Sequence, residues 1–231
     1  MLILGVETAT EQVGVAVGGH EGVIASFEVT RGRRHAEILV PAIEFTLRQA
    51  DIDVTELGCV AVDVGPGLFT GMRVGLAAAK ALAQALRLPM IGISSLDLLA
   101  FDCRHTDRLL VPVIDARKGE VFWAMYRQVP GGVQRVGEPT VGPIDELVAD
   151  LLARSDDTLC VGDGAARYRD EILDGFRCEI SGPAHPSAGA LVELAHAKAL
   201  REDWVRPDQI DAMYLRAPDA QINWATREGR R

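Results

Sequence analysis

The sequence predicts an α/β protein made of two halves with the same pattern. An apolar run ending in an acid opens each half: residues 2–6 precede Glu7, and residues 109–114 precede Asp115. A short loop, a β-rich segment, a Gly-Gly turn and another β-rich segment follow each time, before helices and strands alternate. Mixed sheets covered by helices suit this order. The 231 residues are 48% hydrophobic and 25% charged, a composition typical of a chain that folds throughout.

The first half is predicted to begin as a three-stranded meander and to continue with alternating helices and strands. Glycines on both sides of His20 separate the second and third strands, which is a hairpin signal. Pro41 lies inside the first helical pattern, where it removes a backbone hydrogen bond and so predicts a kink or a late start. The predicted strands are residues 2–6, 13–18, 23–29, 59–64 and 89–93, and the predicted helices are residues 35–50, 69–86 and a third from about 95.

The second half repeats this plan with different residues. We expect residues 1–105 to form the first half, residues 106–218 the second, and residues 219–231 a polar tail. The second half has predicted strands at 109–114, 120–126, 133–136 and 158–161, and predicted helices at 143–153 and 165–173. A last helix, residues 188–201, is expected to pack back onto the first half. Duplication of this kind indicates the actin-like ATPase architecture, in which two ribonuclease-H-like halves face a cleft.

The net charge of −9 argues against a protein that binds nucleic acid unaided, since such proteins carry a basic face. Two local basic clusters are interpreted as solvated surface charge: Arg31, Arg33, Arg34 and His35 in one, and Arg227, Arg230 and Arg231 in the other.

Cysteine usage and hydropathy point to the cytoplasm. The four cysteines form no CxxC pair and are expected to be reduced thiols: Cys59, Cys103, Cys160 and Cys178. The start lacks the basic region of a signal peptide, and no apolar stretch is long enough for a bilayer. We therefore expect a cytoplasmic protein without membrane contact.

Residues 65–75, called here the signature segment, carry the most information. Gly65-Pro66-Gly67 makes a tight turn after a strand, Thr70 occupies an expected N-cap position, and the following helix is rich in alanine. The segment fits an ordinary strand–turn–helix, and it also fits an anion site at a helix N-terminus. It is not a Walker A loop, because Lys80 lies far along the helix and no Gly-Lys-Ser/Thr occurs.

The signature segment, GPGLFTGMRVG, resembles the GPGSFTGxRxG signature of the TsaB family. Four further segments agree in order: LGVETAT at 4–10 (Glu7 replacing the usual Asp), HAEILVP at 35–41, LPMIGISSL at 88–96 and DARKGEVF at 115–122. The resemblance is close up to about residue 126 and broad beyond it. It implies a non-catalytic partner of TsaD, the enzyme that transfers threonylcarbamoyl to the adenosine beside the anticodon of ANN-decoding tRNAs. It also implies that ATP and metal belong to TsaD and that this chain has no cofactor of its own.

By the same resemblance, the two first helices form the partner surface. TsaD would dock there, the ATPase TsaE would join the complex, and a homodimer would use the same surface when TsaD is absent. tRNA would be bound weakly or only through the complex. The expected interface residues are His35, Ile38, Leu39, Ala42, Gly71, Arg73, Gly75, Ala78, Ala79 and Leu82, beside the signature loop of Gly65, Pro66, Gly67, Phe69 and Thr70.

The residues themselves disfavour an enzyme. TsaD carries a His-x-x-x-His metal motif where this chain has residues 93–99, which hold no histidine. The first phosphate-loop position, residues 7–12, has two acids and no glycine. Gly162-Asp163-Gly164 is a weak candidate for an adenosine turn. Asp115 and Glu120 straddle a loop and fit a paired carboxylate site, but we interpret Asp115 as the end of a strand and Glu120 as making local surface contacts with Arg117. The first alternative is an actin-like kinase or ATPase. The second is a peptidase, which is less favoured because no nucleophile constellation occurs.

Overall fold

The computed structural model describes residues 1–32, 34–173 and 177–216, and two mixed sheets organise them. The first sheet has the order β3-β2-β1-β4-β5, in which β1 pairs antiparallel with β2 and parallel with β4. Its strands are β1 (Leu2–Glu7), β2 (Gln12–Gly19), β3 (Gly22–Thr30), β4 (Leu57–Gly65) and β5 (Met90–Ser94).

Helices cover both faces of this sheet. Its helices are α1 (His35–Gln49), α2 (Phe69–Leu86), α3 (Ser95–Asp102) and the late α7 (Ala188–Ala199). Alternation along β1 divides the core: Leu4 and Val6 point into the cluster under α1 and α2, whereas Ile3 points into the cluster with α3 and α7. A side chain on Gly5 would press on Val192, so this glycine lets α7 lie close to β1. The helix α7 thus returns to the first half, as expected.

The second sheet repeats the first in strand order and direction. Its order is β10-β7-β6-β11-β12, with β6 antiparallel to β7 and parallel to β11. Its path strands are β6 (Leu109–Arg117), β7 (Glu120–Trp123), β10 (Thr140–Pro143), β11 (Thr158–Val161) and β12 (Cys178–Ile180). The helices are α4 (Ile144–Arg154), α5 (Asp163–Arg167) and α6 (Arg169–Leu173). The duplicated plan and the actin-like architecture predicted from the sequence are therefore confirmed.

One part of the predicted repeat is wrong. The expected strand at 120–126 is two strands, since Ala124 and Met125 separate β7 from β8 (Tyr126–Val129). β8 forms its own hairpin with β9 (Gly132–Arg135) and pairs with β6 only at Tyr126. The counterpart of β3 is β10, so Gly131-Gly132 turns an inserted hairpin and not the repeated meander.

Three local expectations also change. α1 begins at His35 despite Pro41, so its start is not late. The N-cap of α2 is Leu68, which has no side-chain capping bond, so Thr70 lies within the first turn instead of at the cap. The predicted helix at 165–173 is two short helices that meet at Tyr168. The expected tail at 219–231, including its arginines, and Arg33 lie outside the described residues.

None of the helices in the described ranges combines the length and apolar character needed to cross a bilayer.

Candidate functional site

The signature segment is a contact surface for the chain's own β1–β2 loop, residues 8–11. A side chain at Gly67 would overlap the carbonyl oxygen of Ala9, and one at Gly71 would overlap that of Thr8. A Cβ at Gly75 would overlap Oγ1 of Thr8. Gly71 and Gly75 lie one turn apart on α2, and Gly67 lies in the turn before it, so the start of α2 and the turn that leads into it both lie against this loop.

Hydrogen bonds hold the loop in that position. The Leu68 N–H donates to the Ala9 carbonyl at 2.6 Å, which satisfies a backbone group at the start of α2. The Thr8 hydroxyl donates to the Gly71 carbonyl at 2.9 Å, and His35 Nε2 lies 2.7 Å from the Thr10 carbonyl oxygen. The β1–β2 loop therefore covers the start of α2, where an anion would otherwise bind.

Two buried carboxyl groups lie beside this loop. Glu7 and Asp63 follow the paired residues Val6 and Val62 on parallel strands, so they are lateral neighbours at the carboxyl edge of the sheet. Glu7 Oε1 accepts from the Ala9 N–H at 2.8 Å, and Asp63 Oδ1 accepts from Gly65 N–H and Ser95 Oγ–H, both at 2.7 Å. The second oxygen of each carboxyl group is buried and has no partner in the described part of the chain.

Burial controls the protonation of this pair. Loss of solvation raises the pKa of Asp63 to about 7, against the opposing effect of its hydrogen bonds from Ser95 and Gly65. Burial and the neighbouring Asp63 raise the pKa of Glu7 well above its usual range. A phosphate would meet repulsion here whenever either group is ionised.

A second charged cluster joins the loops of the two halves. Arg117, from the β6–β7 turn, lies 2.6 Å from Glu11 of the β1–β2 loop and 3.1 Å from Asp115. Asp115 also faces Arg167 at 3.4 Å. Arg117 and Glu120 are paired residues of the β6–β7 ladder, which agrees with the expected local contact, and the Glu120 carboxylate forms its ion pair with Arg216 at 2.5 Å.

The Gly162-Asp163-Gly164 turn packs against β6. A Cβ at Gly162 would overlap the Val113 carbonyl, and one at Gly164 would press on the backbone of Ile114. Asp163 accepts a hydrogen bond from the Asp115 N–H at 3.1 Å, and burial raises its pKa. Backbone packing accounts for both glycines, and the adenosine turn stays a prediction.

The expected interface residues divide into an inner and an outer group. His35, Leu39, Ala42, Gly71, Gly75 and Ala79 are buried within the chain. Ala79 packs on Val60 and Val62 of β4. The expectation that the Gly75–Ala79 face meets a second subunit is therefore corrected: this face meets the chain's own loop and sheet. Ile38, Ala78 and Leu82 are half-buried between α1, α2 and the sheet.

The outer faces of α1 and α2 remain exposed. On α2, Thr70, Arg73, Ala77, Ala81 and Ala85 form one stripe at helical spacing. On α1, Val40 and Phe45 are exposed. The two helices pack against each other, so their outer faces lie on the same side of the first sheet.

An aromatic cluster at the start of α2 was missed by the sequence reasoning. The Arg73 guanidinium stacks on Phe69 at 3.8 Å, and its Nε donates to the Tyr214 hydroxyl at 3.1 Å. Tyr214 is 141 residues from Arg73, and no local pattern links them. Phe69 and Tyr214 are both exposed at this point.

No cluster of three His, Cys, Asp or Glu side chains suited to a metal ion occurs among the residues that the structure describes.

A family model and a solved structure both match most of this chain. The model of the family described as TsaD, tRNA N6-adenosine threonylcarbamoyltransferase, matches residues 24–224. An uncharacterized Pseudomonas aeruginosa protein with similarity to peptidase YeaZ superposes with a TM-score of 0.82 at 27% identity, covering 93% of this chain and 99% of the other. The chain is thus a TsaD-type protein of the actin-like architecture.

Similar proteins show to which family within this class the chain belongs. The tRNA threonylcarbamoyladenosine biosynthesis protein TsaB of Escherichia coli is 34% identical over 174 residues, 74% of each chain. TsaB of Bacillus subtilis is 29% identical and covers 97% of this chain and 98% of its own. An uncharacterized Mycobacterium leprae protein is 36% identical, and this chain spans 58% of its length. The chain belongs to the TsaB family, which confirms the resemblance found in the sequence.

Proposed function

We propose that this chain is a non-catalytic subunit that binds and supports a TsaD enzyme in threonylcarbamoyl transfer to tRNA adenosine. The proposal rests on one observation: residues 8–11 pack on the signature segment and cover the start of α2. At residues 7–12, the position expected for a first phosphate loop, the Ala9 carbonyl accepts from the Leu68 N–H, and the buried Glu7 lies beside the buried Asp63. The names of its TsaB relatives support the pathway.

The outer faces of α1 and α2 are the proposed docking surface. Small side chains along Ala77, Ala81 and Ala85 leave the α2 backbone accessible to another helix. Aromatic and arginine side chains often dominate binding energy, so the Arg73–Phe69–Tyr214 cluster is a suitable anchor at one end. A homodimer would use the same surface when TsaD is absent, and TsaE would join the assembled pair.

We expect ATP and metal to belong to the TsaD partner. We also expect tRNA to reach this chain mainly within the complex, since a net charge of −9 opposes tight binding to an isolated subunit.

The test is co-purification with the TsaD of the same organism, using Ala77→Glu on α2 and Val40→Glu on α1. Both residues are exposed, so the variants should fold and yet place a charge in the interface. Complex formation measured by size exclusion should be lost. Ala149→Glu on the exposed side of α4 is the matched control and should assemble normally. Normal assembly of both interface variants would refute the docking surface.

Nucleotide-binding measurements distinguish the proposed non-catalytic role from the alternative of a kinase or ATPase. The isolated chain should show no ATP-dependent rise in melting temperature and no turnover. Metal-dependent ATP hydrolysis that a point substitution in this chain abolishes would overturn the non-catalytic role.

A further inference from the structure

A groove of about 290 Å³ lies where the end of α7 meets both halves. None of its lining residues belongs to α1, α2 or the signature segment, so it is separate from the proposed docking surface. The lining comes from Ile93 of β5, Asp97 of α3, the β8–β9 hairpin, the last turns of α7, and Arg201 in the turn that follows α7.

The rim of the groove is cationic in an acidic protein. Arg135 lies 4.0 Å from the Asp97 carboxylate, the outer limit of an ion pair, and also interacts with the Tyr126 hydroxyl. Lys198 pairs with Asp203 at 3.0 Å. For Arg201, no carboxylate of the described ranges lies within ion-pair distance. Arg135 and Arg201 therefore keep hydrogen-bond donors available for an incoming anion.

The one acid in the groove is already engaged. Asp97 accepts the hydroxyl hydrogen of the buried Tyr126 at 2.7 Å and faces Arg135 at 4.0 Å, which offsets its charge. The floor is apolar: Ile93 belongs to the core cluster of the first half, and Val133 and Leu194 pack against that cluster. An apolar floor under a cationic rim is complementary to a molecule with an apolar body and an anionic group.

We propose that this groove binds a small organic anion, a phosphate monoester or a carboxylate on a compact apolar body. Arginine forks recognise phosphate and carboxylate oxygens in pairs, so Arg135 and Arg201 would hold the charged group. Ile93, Val133 and Leu194 would hold the body. The volume lies at the small end of ligand sites, which limits the body to about a single ring. A bound anion would connect the β8–β9 hairpin to α7.

Calorimetric titration of the whole chain at fixed ionic strength tests this proposal. Phenyl phosphate and benzoate carry the same ring with different anions, inorganic phosphate lacks the ring, and phenol lacks the anion. We expect phenyl phosphate or benzoate to bind saturably and at least about 10-fold more tightly than inorganic phosphate and phenol. The tighter of the two identifies the preferred anion.

Arg135→Ala and Arg201→Ala should each weaken that binding by about 10-fold, because each removes charge-assisted hydrogen bonds. Arg169→Ala, at an exposed position on α6, is the control and should bind like the parent protein. Circular dichroism verifies that each variant is folded. Absence of saturable binding by both organic anions, equal binding of inorganic phosphate, or affinity unchanged in both groove variants would overturn the proposal.

Discussion

At the scale of single residues, the buried pair Glu7 and Asp63 is the most unusual feature. Each carboxyl group has one oxygen with hydrogen-bond donors and one without any in the described residues. A buried carboxylate without full compensation is costly, and the molecule avoids part of that cost by holding protons. Protonation of this pair is therefore coupled to folding.

The first prediction is a pH-dependent stability. The folded pKa of Asp63, about 7, exceeds its unfolded value, so its contribution is fully present below about pH 4 and is lost as pH rises through about 7. The free energy of unfolding should fall over that window by up to about 4 kcal/mol, since each pKa unit corresponds to about 1.4 kcal/mol. Urea unfolding from pH 5 to 8 measures it. Asp63→Asn should reduce the slope to the part that the buried Glu7 contributes, and an unchanged slope would exclude Asp63 as a source.

The second prediction concerns the glycines of the signature segment. Gly71→Ala places a methyl group on the Thr8 carbonyl, a backbone atom that cannot rotate away. We expect a loss of about 1–3 kcal/mol in the free energy of unfolding, as for other overpacked sites. Gly137→Ala, which meets no atom within 4 Å, is the control and should change little. Equal stability of the two variants in urea titrations would show that the loop moves without cost.

At the scale of elements, α2 has two faces with opposite roles. Its inner face packs on β4 and on the β1–β2 loop, and its outer face is exposed. The alanine-rich sequence predicts close backbone approach on both faces, but it does not say which face meets the chain itself. The spacing of residues along α2 shows which of them share a face of the helix. Which partner that face contacts depends on where the first sheet lies.

The third prediction follows from the inner face. Ala79→Glu would bury a carboxylate between α2 and β4 and should lower the free energy of unfolding by several kcal/mol, at the order-of-magnitude level. Circular dichroism should show an unfolded or strongly destabilised chain. Ala77→Glu, two residues away on the exposed side, should keep the parental spectrum. A folded Ala79→Glu protein would show that the α2–β4 contact opens readily.

The elements themselves were largely predictable, because apolar runs, Gly-Pro breaks and helical spacing are local signals. The inserted β8–β9 hairpin was not. A Gly-Gly pair stands next to the turn in both hairpins, Gly131-Gly132 here and Gly18-Gly19 at the end of β2, so residues alone cannot distinguish an inserted hairpin from a repeated meander. The short strand β12 was missed because three residues carry too little periodicity.

At the scale of the whole molecule, the two halves are joined through charge at their loops. Glu11 of the first half and Arg117 of the second form a half-exposed ion pair, and Arg117 also contacts the buried Asp115. Neither partner could be predicted from the sequence, since 106 residues separate them and pairing depends on how the sheets face each other.

The fourth prediction is a small coupling between these loops. A double-mutant cycle with Glu11→Ala and Arg117→Ala should give an interaction energy of about 0.2–1 kcal/mol, because both side chains are partly solvated. The coupling should shrink at high salt. Arg117→Ala alone should cost more than Glu11→Ala, since it also removes a partner of Asp115. Identical losses in the two single variants would contradict this arrangement.

The contact between Gly75 and Thr8 has an evolutionary consequence. Two positions that share one small space must divide its volume, whichever residues a lineage uses. Among relatives with this signature, a larger residue at the position of Gly75 should accompany a smaller one at the position of Thr8. The signature would then record a volume constraint between two distant segments, independent of any chemistry that the protein performs.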